Sequence, residues 1–158
     1  HQDDRGFFAR TWCRNEFMER GLDPHLVQCS ISFNLKKGTW RGMHYQLSPH
    51  EESKLVRCTM GAICDVIVDL RPNSPTFKQH VTVELSARNR RMLFIPESFA
   101  HGFVTLEDNS EIFYQMSEFQ ESAAARGVRW NDPRFKIQWP AAPTLISERD
   151  QRYEDYTT

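Results

Sequence analysis

Residues 38–46 read GTWRGMHYQ and set an arginine, a histidine, a tyrosine and a glutamine around two glycines. Imidazole titrates near neutral pH, so His44 in such a setting can take and return a proton. Arginine presents a planar fork that meets phosphate or carboxylate oxygens in pairs, which gives Arg41 a binding role. Glycine weakens a strand unless another backbone or a ligand must come close, so two glycines here point to close approach. A second histidine, His101, ends the segment PESFAH at 96–101, on a loop that enters a strand.

The elements that must position these groups read as β-strands. Segments 54–59, 62–70, 79–85, 91–95, 102–106 and 111–116 are short and rich in branched and aromatic residues. Turn-forming clusters at 71–75, 86–89 and 107–110 separate them. Val81, Val83 and Leu85 alternate with Thr82 and Glu84, the period of a strand with one buried face. Helical signals are few: a turn or two over 15–20 stopped by Gly21, and a capping pattern from Ser147 to Asp150 before a charged tail. The expectation is one domain over 1–158, all-β, with short peripheral helices, in the manner of a sandwich or barrel.

Composition narrows the function. A formal net charge of −1 offers no electrostatic case for nucleic acid. No run approaches the roughly 18 apolar residues of a membrane span, and the polar opening HQDDRGFF does not resemble a signal peptide. Cys13, Cys29, Cys58 and Cys64 form no C-x-x-C pair and match no zinc spacing. They read as reduced and mostly buried thiols, so a cytoplasmic location is expected.

Glycine, five residues, then histidine, followed later by proline and histidine, resembles the two halves of a cupin motif. A cupin normally carries His-x-His in its first half to chelate a metal. Here Gln46 follows His44 and Tyr45, and a glutamine carbonyl is a poor substitute for imidazole on a first-row metal. The expectation is a cupin-like jelly-roll barrel that keeps His44 for proton chemistry and holds no metal, although Glu51 and Glu52 could supply oxygen ligands if a metal were present.

The chain as a whole resembles the dTDP-4-dehydrorhamnose 3,5-epimerase family. The likeness is carried by DRGF at 4–7, WRGMHYQ at 40–46, KLVR at 54–57, DVIVDLRPNSPTF at 65–77, ELSARNRRMLFIPESFAHGF at 84–103, RGVRWNDP at 126–133 and ISERD at 146–150. The family acts on a nucleotide-linked 4-keto-6-deoxyhexose and moves protons beside the ketone. Such a reaction needs a base, a cation or donor for the enolate oxygen, and an acid on the opposite face.

By the resemblance, His44 is the base, Asp150 its carboxylate partner, Tyr114 the proton donor and Lys54 the cation near the sugar carbonyl. Asp150 is equally explained as part of a helix cap, Tyr114 as a core aromatic on the parity of Ile112 and Met116, and Lys54 as an exposed strand end. Arg5, Arg41 and His101 fall at positions that hold diphosphate and sugar, and Gln28 at a substrate contact. The resemblance further implies no organic cofactor, dTDP-rhamnose biosynthesis for a polysaccharide, and a homodimer with an exchanged N-terminal strand, which Phe7 and Phe8 would suit.

Departures cluster in the binding shell. Arg10 stands where the family has an acid, Cys29 and Ser30 follow Gln28 where an asparagine is usual, Ala125 replaces an acid, and Arg149 replaces a lysine before Asp150. The expectation is a retained reaction with a changed nucleotide or sugar. An arginine at 10 can donate to N3 of cytosine, whereas a carboxylate accepts N3–H of thymine, so a CDP-linked substrate is one alternative. Others are inversion at a single carbon, a metal-dependent cupin oxygenase or isomerase, and a sugar-binding barrel without catalysis.

Overall fold

The computed structural model describes residues 1–157. The elements in chain order are β1 (Gln2–Asp3), β2 (Gly6–Phe7), α1 (Arg14–Glu19), β3 (Gln28–Asn34), β4 (Thr39–Gln46), β5 (Lys54–Met60), β6 (Ala62–Asp69), β7 (His80–Ser86), β8 (Met92–Ile95), β9 (Phe99–Thr105), β10 (Ser110–Met116), β11 (Ala125–Gly127), β12 (Leu145–Ile146) and α2 (Glu148–Gln151). Two sheets form a cupin-like jelly roll. One has the order β3-β10-β5-β8; the other runs β11-β4-β9-β6-β7, with β12 alongside β4. β1 and β2 make a separate hairpin.

The larger sheet is covered on both faces, which explains why every residue of β6 is buried. Ile63 and Ile67 join Val56, Cys58 and Ile112 in a core between the sheets, together with Phe103 and Leu85. Cys64, Val66 and Val68 face the other way, into a core shared with Trp40, Met43, Val128 and Phe135. The alternation expected for 81–85 is present, but burial fades along β7. Leu85 is fully buried and Val81 is exposed, because only the Leu85 end overlies the inter-sheet core.

The segment 71–75, expected as a turn, is organised by Asp69. Its buried carboxylate accepts from Nε and Nη2 of Arg71 at 2.9 and 2.8 Å and from the hydroxyl of Thr76 at 2.7 Å. The Arg71 guanidinium also lies over the Phe99 ring, 4.8 Å from its centroid. Arg71 is therefore a fixed part of the fold rather than the solvated edge residue its position in a polar turn suggests.

The feature that matters most for function is an irregularity in β4. Arg41 pairs with Phe103 and His44 with His101, so three steps on β4 span two on β9. In a regular strand residues three apart point to opposite faces. The extra residue restores parity and lets Arg41 and His44 face the same cavity. Gly42, with φ of +129°, makes this possible: a Cβ there would lie 2.4 Å from the Cα of Gly102 on β9. The close backbone approach inferred from the two glycines of 38–46 is thus real at Gly42.

Candidate active site

A cavity of about 400 Å³ opens between the sheets. Arg41 and His44 reach it from β4, His101 and Phe103 from β9, Lys54 from β5, Tyr114 from β10, Ser30 from β3, and Arg149 and Asp150 from α2. All four residues expected to perform chemistry therefore line one space, although they come from both sheets and the C-terminal helix.

Asp150 is at once a cap residue and a histidine partner. Its backbone N–H donates to the Ser147 hydroxyl at 3.1 Å, which starts α2, while its carboxylate turns inward. One oxygen lies 2.7 Å from His44 Nε2 and the other accepts weakly from the Gly42 N–H at 3.4 Å. Burial works to raise the Asp150 carboxyl, but the bond and charge of His44, with Gly42 and Ser147, hold it below its ordinary value. An ionised carboxylate can only accept, so in the neutral imidazole His44 Nε2 is the nitrogen that carries the hydrogen and Nδ1 the one with the lone pair. The side chain is 41% exposed, open enough to meet a substrate.

Tyr114 faces His44 from the opposite sheet. Burial, reinforced by the charge of Asp65 and opposed by Arg41, pushes its phenol up. The group stays protonated at neutral pH and is suited to donate. Lys54 is buried beside the cavity and contacts the Glu52 carboxylate, each side chain only 10% exposed. It is not an exposed strand end. His101 sends Nε2 to Asp65 at 2.6 Å, and its ring meets Tyr114 at a centroid distance of 6.1 Å. Arg41 is anchored through Nε to Asn34 at 2.8 Å.

The remaining expected contacts divide. Ser30 and Arg149 line the cavity. Gln28 does not; its side-chain oxygen accepts from the backbone N–H of Gln120, which does. Arg5 and Arg10 stand apart from the cavity. They lie on the N-terminal hairpin and the connection to α1, where sequence-near carboxylates take their guanidinium groups: Asp3 for Arg5 at 2.6 Å and Glu16 for Arg10 at 2.7 Å. The cytosine-reading role expected of Arg10 has no geometric support within this chain. The hairpin expected as an exchanged arm pairs with itself.

Four residues at the site carry no catalytic or substrate-binding role in the sequence reading. Arg126 lines the cavity, Glu52 pairs with Lys54, Tyr153 stands edge-to-face against His44, and Asp65 holds His101. Asp65 had a signal: a carboxylate in the middle of the apolar run AICDVIVDL must find a partner if the strand is buried. Its second oxygen has no hydrogen-bond partner among the described residues. Among the described residues no group of three or more His, Cys, Asp and Glu side chains is placed to hold a metal ion.

A histidine held by a carboxylate on one wall, a protonated phenol on the other and a buried lysine nearby are the groups that acid–base isomerisation calls for, set here on a jelly-roll scaffold. The comparisons with known proteins make this specific. The dTDP-4-dehydrorhamnose 3,5-epimerase family model matches residues 1–157. The enzyme of that name from Shigella flexneri is 44% identical over 149 residues, covering 94% of this chain and 82% of that protein. The structure of the Bacillus anthracis enzyme, with TDP and PPi bound, superposes with a TM-score of 0.94 at 40% identity, over 98% of this chain and 88% of that one. The Legionella pneumophila enzyme, in complex with dTDP-4-keto-L-rhamnose, gives 0.90 at 35% identity, over 97% and 81%. The chain belongs to the dTDP-4-dehydrorhamnose 3,5-epimerase family and is a carbohydrate epimerase.

Proposed function

We propose that this chain inverts C3 and C5 of a dTDP-linked 4-keto-6-deoxyhexose, with His44 as base and Tyr114 as acid. The observation that carries the reading is the placement of the His44–Asp150 pair and Tyr114 on facing sheets of one cavity. His44 Nδ1 takes a proton from a carbon beside the ketone, and the electron pair passes to the carbonyl oxygen. The Lys54 ammonium stabilises that enolate oxygen, a term worth several kcal/mol in a water-poor site (about 3, or 10²-fold). The Tyr114 hydroxyl then delivers a proton to the other face of the same carbon. Solvent reprotonates the phenolate, His44 releases its proton, and the cycle repeats at the second carbon. Arg41, Arg126, Arg149 and His101 hold the diphosphate and sugar.

The thymidine carrier is taken from the relatives, whose solved complexes hold dTDP compounds. The second reading, a cytidine carrier, rests on Arg10 alone. Residues 1–158 act as a single catalytic unit in this proposal, without a metal or organic cofactor. The protein works in the cytoplasm, where its four free cysteines stay reduced. No described helix is long and apolar enough to cross a membrane. A homodimer is supported by exposed Ile31 and Phe33 on the edge strand β3, and light scattering on the purified protein tests it.

The reaction is tested by incubating the protein in D₂O with dTDP-4-keto-6-deoxyglucose and following exchange by NMR. Deuterium at both C3 and C5, absent in His44→Ala, supports the proposal. Exchange at one carbon makes this a single-centre epimerase. No exchange overturns the dTDP reading, and the CDP-linked ketosugar is then the next substrate.

A further inference from the structure

The C-terminal tail that carries Asp150 brings a second side chain to His44. The Tyr153 ring stands edge-to-face against the imidazole, with centroids 5.8 Å apart and planes at 72°. Its hydroxyl accepts a hydrogen bond from Arg149 Nε at 2.7 Å. Beneath the ring lies Gly127 of β11, the residue paired with His44 across the sheet. A Cβ on Gly127 would fall 2.3 Å from two ring atoms of Tyr153. Gly127 has no positive φ, so the backbone does not demand glycine there; the ring does. The chain is pinned directly after Tyr153, by Arg129 N–H to the Glu154 carbonyl at 3.1 Å and by Tyr156 N–H to Asp132 at 2.6 Å. The ring therefore has a built seat.

We propose that Tyr153 is a positioning residue for the epimerisation, with two separable actions. Its ring sets the plane of the His44 imidazole. One hydrogen bond to Asp150 fixes a single ring nitrogen and leaves the ring free to swing about that contact. A wall against the ring removes the swing, so that Nδ1 points at the reacting carbon. Its hydroxyl occupies Nε of Arg149 and so holds the guanidinium at the cavity rim. The two terminal nitrogens remain as a planar pair of donors for an anionic group, which in the proposed substrate is the nucleotide diphosphate. The inference rests on the function proposed above.

The experiment uses the full chain with Tyr153→Phe, Tyr153→Leu, Gly127→Ala and the double variant Gly127→Ala/Tyr153→Leu. Deuterium wash-in gives kcat and KM, thermal unfolding reports the fold, and the His44 Cε1–H resonance is recorded without substrate. Tyr153→Phe keeps the ring and loses the hydroxyl, so KM rises about tenfold with a much smaller change in kcat. Tyr153→Leu lowers kcat by roughly 30- to 100-fold, the scale of a sub-ångström to 1 Å misplacement, and moves the His44 resonance as the ring current vanishes. Gly127→Ala reproduces that kcat loss with the tyrosine still present, and the double variant loses no more than Tyr153→Leu alone.

Wild-type kcat in Tyr153→Leu, an unmoved His44 resonance, or losses that multiply in the double variant would each overturn the proposal. An unchanged KM in Tyr153→Phe overturns the Arg149 half. If Tyr153→Leu does not fold, Gly127→Ala carries the comparison, and wild-type kcat there refutes the ring's role. If the wild-type protein exchanges no deuterium at all, the proposed function has failed, while the substrate-free resonance still decides whether the Tyr153 ring stands against His44.

Discussion

Replacing Asp150 by asparagine changes one charge in a place where the fold can tolerate it. Asp150 is 4% exposed and its carboxylate sits 2.7 Å from His44 Nε2. When Nδ1 takes the substrate proton, the imidazole becomes a cation and the contact becomes a hydrogen bond between opposite charges. Such bonds contribute about 1.5–3 kcal/mol, and little solvent is present to screen this one. At about 1.36 kcal/mol per decade, loss of the charge alone slows the chemical step by roughly 10- to 150-fold. A second effect adds to it. An amide can donate to Nε2, which draws the ring into the tautomer with hydrogen on Nδ1 and no lone pair toward the substrate. The corresponding exchange in a Ser–His–Asp triad costs about 10⁴. The expected fall in kcat is therefore about 10² to 10⁴. The backbone N–H of residue 150 keeps its bond to Ser147, so α2 still starts in place. Ser147→Ala is the control: it keeps the carboxylate and loses the cap, costing about 1 kcal/mol of stability. Deuterium appearance at C3 and C5, followed by proton NMR beside thermal melts, measures both. An Asp150→Asn enzyme within fivefold of the wild-type rate would refute the assignment of Asp150 to His44.

Tyr114→Phe keeps the ring and removes the acid, so His44 continues to exchange protons on its own face while net inversion falls by at least about 10²; equal losses of exchange and inversion would contradict separate base and acid. Gly42→Ala places a Cβ 2.4 Å from the Gly102 Cα at a φ of +129°, which costs about 3 kcal/mol and lowers Tm by about 6–12 °C; a calorimetric melt within 2 °C or so of wild type would show that β4 and β9 can separate freely. Asp69 is held well below the usual carboxylate range chiefly by Arg71, against burial, with help from Ser74 and Thr76. Below the ordinary value near 3.9 the unfolded chain binds a proton that the folded chain does not, so this stability is present above that pH and is lost as pH falls. Asp69→Asn flattens the acid limb of a urea-midpoint profile between about pH 5 and 2, and parallel limbs would exclude Asp69 as a source of the slope.

Strands β5, β6 and β9 were legible because their burial is enforced locally, by branched and aromatic residues between turn-forming clusters. β3 was not: QCSISFN carries serines that face a cavity instead of a core, so its inward positions lack the apolar signal that marks a strand. The residue types of the site were equally plain. Histidine and arginine close to two glycines, a tyrosine on the inward parity of its strand and a lysine before apolar residues could all be picked out, and the family likeness gave them roles. Which groups act together could not be read in the same way. His44 and Asp150 are 106 positions apart and meet only because α2 docks against β4. The parity of Arg41 and His44 depends on an irregularity defined by β9, not by β4 alone. Arg5 matched a binding position by motif and Arg10 fell at one where the family has an acid, yet carboxylates two and six residues away claim them in this chain. Asp65 and Tyr153 gained their partners only when distant segments were brought together. Sequence by itself determined which segments become the strands of the core and which side chains have the chemistry, because both depend on neighbours within a few residues. Tertiary structure alone decided which of those side chains share a cavity, because that depends on sheet packing and on the path of a tail that no local pattern encodes.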